Sequence, residues 1–105
     1  MRYVSKNEEK KNLLLQLSPH IFWNCDAGLL DYNKNKKLII ERIIHYGFER
    51  DEILMWKMYG FRMIKKIAMS MTDMDKNKLL YMSSILGVRE KRFKCYKKKR
   101  FQQSY

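Results

Sequence analysis

Apolar residues in this chain recur at helical spacing, and a glycine follows three of the runs. Ile39, Ile40, Ile43 and Ile44 stand at i, i+1, i+4 and i+5 beside Leu38, which is one face of a 3.6-residue period. Ile64, Ile67, Ala68 and Met71 repeat that spacing, as do Leu79, Met82, Ser83 and Leu86. Gly47, Gly60 and Gly87 stand just past a run, where helices commonly end in a residue of positive φ. One Pro and four Gly in 105 residues argue against a turn-rich all-β fold. The expectation is an all-α fold: a compact single domain of about four main helices, with a flexible N-terminal extension and a basic C-terminal tail.

The helices are expected over about residues 32–46, 51–59, 61–71 and 74–86. Asp31, Asp51 and the pair Thr72-Asp73 are read as their starting residues. Ser18-Pro19 interrupts a weak helical pattern before it, since the residue preceding Pro avoids the α region. His20-Ile21-Phe22-Trp23 is too apolar for an exposed loop and reads as an anchor that buries two aromatic rings. The domain boundaries follow: an N-terminal extension over residues 1–16, a helical domain over 17–96 and a basic tail over 97–105.

Charge is the strongest functional signal. The chain holds 23 Lys and Arg against 11 Asp and Glu, a net +12. Residues 89–100 alone carry eight basic residues against Glu90, or +7, leaving +5 elsewhere. Such a surplus favours polyanionic partners; it also suits a solvated tail that aids solubility. The candidate nucleic-acid contacts are Lys65, Lys66, Lys76, Lys78, Arg89, Arg92, Lys97, Lys98, Lys99 and Arg100. Tyr81, Tyr96 and Phe101 interleave aromatic rings with this charge, as stacking on bases requires. The two helices flanking residue 72 invite a helix-turn-helix reading. Thr72-Asp73 stands where that motif wants Gly and an apolar residue, and Lys78 stands where it wants a core residue, so a plain helical hairpin accounts for them equally well.

Nothing in the sequence points to catalysis. His45 has Glu41 four residues before it, which reads as a surface helix pair rather than a catalytic one. Asp73 and Asp75 at a helix start read as capping residues rather than metal ligands. No nucleotide-loop, zinc-protease, nucleophile-elbow or calcium-loop pattern occurs. Cys25 and Cys95 are 70 residues apart with no CxxC, which removes zinc-knuckle and thioredoxin readings. No enzyme activity, metal or cofactor is therefore expected. The start of the chain lacks the pattern of a signal peptide, and no apolar run approaches the ~20 residues of a membrane span. A cytoplasmic protein without membrane contact is expected. Eight Met residues, most between Met55 and Met82, read as core filler before they read as an adaptable binding surface. Were they a surface, Trp56 and Met58 would be its partner-binding residues, in a protein-interaction module that never touches nucleic acid.

Several words along the chain are similar to a known family. Leu17-Ser18-Pro19-His20-Ile21-Phe22-Trp23-Asn24-Cys25-Asp26 resembles the opening LSPxLFWDxD of a small uncharacterised bacterial family of Bacteroides-like organisms. Leu30-Asp31 with Ile39-Ile40-Glu41-Arg42-Ile43, then Trp56-Lys57 and Tyr59-Gly60, resemble its central words. Leu79 to Val88 with Phe93-Lys94-Cys95-Tyr96 resembles its FRCY ending. Asn24 stands where the family has Asp, and Val88-Arg89 where it has Ile-Pro. The resemblance implies a domain of unknown function, often encoded beside abortive-infection-type nucleotidyltransferase toxins. It implies an antitoxin or accessory regulator, with such a toxin or nucleic acid as partner, and no established catalytic residues. It also implies that Cys95 packs at the end of the fold.

Overall fold

Hydrogen bonding at the helix ends decides where each element starts and stops. A computed structural model of the chain describes residues 6–24 and 26–96. There are four α-helices, α1 (Lys6–Leu15), α2 (Lys36–Tyr46), α3 (Glu49–Ser70) and α4 (Lys76–Leu86), with two 3-10 turns between α1 and α2, a third after α4, and no strand among the described residues. The fold is all-α. It divides into two compact units, the first ending at Gly60 and the second beginning at Phe61.

In the first unit, α1 precedes the Ser18-Pro19 interruption. Leu14 on it has no exposure, and Leu17 just beyond it is also buried. Lys10 donates to the Lys57 carbonyl at 2.6 Å, and Arg50 donates to the Gln16 carbonyl at 2.7 Å. The 3-10 turn Pro19–Phe22 packs on α2 and buries Ile21 and Phe22. Trp23 corrects the anchor reading: it is 70% exposed, and Ile21 takes the inner place instead.

Helix α2 starts at Lys36, later than the apolar spacing suggests. The Asp31 carboxylate accepts the N–H groups of Asn33 and Lys34 at 2.8 and 2.9 Å, an Asx turn. These bonds hold the Asp31 carboxyl below its ordinary value. The Asn35 side chain accepts the Asp31 N–H in return, at 2.8 Å. Residues 32–35 are thereby taken up in a turn, and Asn35 becomes the residue before the helix. At the other end Gly47 is extended (φ −71°, ψ 151°) rather than left-handed. Its need for glycine is one of space, because a Cβ there would lie 2.6 Å from the Ile43 carbonyl oxygen.

Asp51 is not the cap of α3 but its third residue. Its carboxylate reaches back to the N–H of Phe48 at 2.9 Å, as the acidic member of a capping box does. Met55 and Met58 follow as buried residues. Tyr59 donates its hydroxyl to the Tyr32 carbonyl at 2.7 Å. Burial, then the nearby Asp31 charge, push its pKa well above the ordinary value, so the phenol stays neutral and keeps donating. Gly60 breaks the helix at φ 78°, ψ 172°.

The second unit carries the rest of α3, then α4. Ile64, Ile67, Ala68, Met71 and Met74 are buried, as are Leu79, Met82 and Leu86 on α4. Helix α4 is capped by Asp75, whose carboxylate accepts the Lys78 N–H at 2.8 Å, so Asp75 replaces Thr72-Asp73 as the starting residue. Gly87 closes α4 in the left-handed region (φ 65°, ψ 31°), and its N–H donates to the Ser83 carbonyl. Val88, Phe93 and Cys95 are buried beyond it. Met55, Met58, Met71, Met74 and Met82 all lie inside, as core filler.

Candidate nucleic-acid interface

The two units differ sharply in charge. Residues 1–60 hold ten Lys and Arg against eight Asp and Glu, a net +2; residues 61–105 hold thirteen against three, a net +10. Every basic candidate named from the sequence falls in the second unit.

Their placements differ. Lys66 is exposed on α3, and Lys65 beside it is half-buried with Nζ 5.8 Å from the centroid of the Phe61 ring. Lys76 is exposed in the first turn of α4. Lys78 is half-buried, and its backbone N–H is held by the Asp75 cap. Arg89 and Arg92 are exposed at either end of the turn following α4. Lys97, Lys98, Lys99 and Arg100 lie outside the described residues, as does Phe101.

One cleft gathers part of this charge. It has a volume of about 340 Å³ and is lined by Ser83, Arg89, Glu90, Lys91 and Tyr96. Its backbone is well fixed. The Ser83 hydroxyl donates to the Val88 carbonyl at 2.6 Å, and the Val88 N–H returns to the Ser83 carbonyl at 3.2 Å. The 3-10 turn Glu90–Arg92 closes with Arg92 N–H on the Arg89 carbonyl and Phe93 N–H on the Glu90 carbonyl, both at 3.0 Å. Phe93 and Cys95, just before Tyr96, are buried. Two cations, the Glu90 carboxylate and a half-buried phenol ring thus border one opening. Lys91 was not among the candidates. The signal was the alternation of Arg89 and Lys91 around Glu90 just past a glycine-capped helix, but only the 3-10 turn shows which cations line the cleft. Tyr81, 48% exposed on α4, is the other accessible ring of the basic unit that the sequence singled out.

The two residues of the alternative interaction surface, Trp56 and Met58, lie on α3. Met58 is 4% exposed and Trp56 half-buried, so the two do not make an exposed apolar patch. His45 is half-buried, its ring 5.8 Å from that of Tyr46. Among the described residues no group of three or more His, Cys, Asp or Glu side chains is placed to hold a metal ion, and no helix is long and apolar enough to cross a membrane. A second cleft, of about 450 Å³, is lined by Lys11 and the loop from Gly28 to Lys34, whose Asp31 carboxylate is occupied by its own turn.

Compared with known proteins, the chain has no match among curated proteins and none among solved structures. Residues 17–68, from just before the Ser18-Pro19 interruption to near the end of α3, match the model of a family of unknown function (DUF6922).

Proposed function

We propose that this chain is a non-enzymatic nucleic-acid-binding protein that acts as an antitoxin-like or accessory regulator, and that its contact surface is the basic unit from Phe61 onward. The observation that carries the reading is the separation of charge, +10 in that unit against +2 in the other. Lys66, Lys76, Arg89, Lys91 and Arg92 would contact phosphates, with Tyr96 and Tyr81 stacking on bases and little sequence readout. The regulatory context rests on the similarity of the sequence words to a bacterial family encoded beside nucleotidyltransferase toxins. In that setting the chain works in the cytoplasm, and the toxin is the protein partner.

Binding of the full chain to mixed DNA and RNA fragments over a salt series tests this. Affinity is expected to fall by about tenfold or more between 50 and 200 mM salt, as counterion release from several phosphates requires. Absence of binding at about 50 mM salt overturns the reading.

A further inference from the structure

The outer face of α4 does not match the charge of the unit that carries it. Leu79, Met82 and Leu86 take the inner side of this helix. That leaves Leu80, Tyr81, Ser84 and Ile85, at i, i+1, i+4 and i+5, as one contiguous outer face. Leu80 is 42%, Tyr81 48% and Ile85 38% exposed. No charged residue occurs on the helix after Lys78. The cations stand instead at its two ends. Lys76 and Lys78 lie in the first turn, and Arg89, Lys91 and Arg92 follow Gly87 at the 3-10 turn that packs against α4. Ser83, next to Ser84, also lines the cleft bordered by Arg89, Glu90, Lys91 and Tyr96, so the apolar face and the cleft adjoin.

We propose that this face receives the unstacked bases of a single-stranded nucleic acid, whose phosphates are held by the cations at either end of α4. The proposal rests on the nucleic-acid reading above and adds the strand state of the ligand. Charge selects a polyanion, since residues 61–105 carry a net +10. The face then selects among polyanions. A helix set in a duplex groove lies between two phosphate backbones and bonds base edges through polar side chains along its exposed side. Past its first turn α4 presents Leu80, Tyr81 and Ile85 there, with no cation and only the Ser84 hydroxyl. In a duplex the flat faces of the bases are stacked on one another and closed to such groups. In a single strand they are free to lie on an aromatic ring while the backbone tracks the positive charge.

Binding of the full chain at about 50 mM salt to unpaired oligothymidylate and oligouridylate of about 16 nucleotides, and to a mixed-sequence duplex of the same length, tests the proposal. The single strands are expected to bind at least about tenfold more tightly than the duplex. Tyr81→Ala is expected to weaken single-strand binding by about fivefold or more, with duplex binding, thermal melt and salt slope unchanged, because a stacking ring and no cation is lost. Tyr81→Phe keeps the ring and is expected to retain the affinity. Trp23→Ser, which removes a ring 70% exposed in the first unit, is expected to leave it unchanged. Leu80→Glu sets a carboxylate on the same face and is expected to weaken single-strand binding too, which keeps the test open should Tyr81→Ala fail to fold. A duplex bound as tightly as the single strands overturns the proposal, as does single-strand binding that Tyr81→Ala and Leu80→Glu both leave intact. Either result leaves the nucleic-acid reading standing, whereas binding of neither ligand overturns both.

Discussion

The Asp51 carboxylate joins two distant pieces of chain while having no exposure to water. Oδ1 accepts the Ser18 N–H at 2.9 Å, the Ser18 hydroxyl reaches both oxygens at 3.0 and 2.8 Å, and Oδ2 accepts the Phe48 N–H at 2.9 Å. Burial by itself raises the pKa of such a group. The two N–H donors, the Ser18 hydroxyl and the Arg50 charge outweigh it, and the carboxyl is held below its ordinary value of 3.8. Asp51→Asn is expected to cost about 1.5–3 kcal/mol, because hydrogen bonds to a charged acceptor are weakened and one donor is left facing an amide NH₂. Denaturant unfolding at neutral pH measures it. The pH dependence has a fixed sign. A lowered folded-state pKa stabilises the protein above the unfolded value of 3.8, and that contribution is lost as pH falls through the folded value. Asp51→Asn should therefore flatten the acid limb of the stability curve below about pH 5. The sequence marked Asp51 as a capping residue but not as the meeting point with Ser18, 33 residues away, because no local pattern reports a hydrogen bond over that distance. Trp23 was misread for a related reason. Three consecutive apolar residues after His20 mark a buried segment, but which of them face inward depends on the 3-10 turn, which buries Ile21 and Phe22 and leaves Trp23 to Arg42.

At the scale of elements, two glycines of positive φ end helices under different constraints. Gly87 lies in the left-handed helical region (φ 65°, ψ 31°), which Asn also tolerates. Gly60, at φ 78° and ψ 172°, lies in a region open essentially to glycine alone. A Cβ at either position meets nothing within 4 Å, so the backbone sets the cost. Gly60→Asn is expected to destabilise by about 1–3 kcal/mol. Gly87→Asn is expected to cost only a few tenths, and thermal unfolding of the pair separates the two cases. Asp75→Ala is expected to cost about 1 kcal/mol through loss of the bond to the Lys78 N–H, whereas Asp73→Ala leaves that cap in place. The helical faces were legible in the sequence because their inner residues repeat every three to four positions. The starting residues were not, since Asp31, Asp51, Asp73 and Asp75 all have the composition of a cap and only the hydrogen bonds show which donor each one meets.

Along the whole chain most of the net positive charge comes after Gly60, +10 against +2 before it. Replacing Arg89 and Lys91 together by Ala is expected to weaken nucleic-acid binding and to lower the slope of log affinity against log salt by about 1–2. Replacing Lys36 and Lys37 in the first unit should leave that slope unchanged. Removing Lys97, Lys98, Lys99 and Arg100 is expected to lower it further, and an unchanged slope would exclude the tail as a contact. What the sequence by itself determined is the all-α class, the inward faces of α2 and α4, the helix endings at Gly60 and Gly87, and the amount of positive charge. All of these follow from spacing and composition along a local stretch of chain. Tertiary structure alone decided that Trp23 faces out, that Asp51 binds Ser18, and that Arg89 and Lys91 border a cleft with Tyr96. Those depend on which distant backbone groups meet, and the free energy of such meetings is not a property of any segment taken alone.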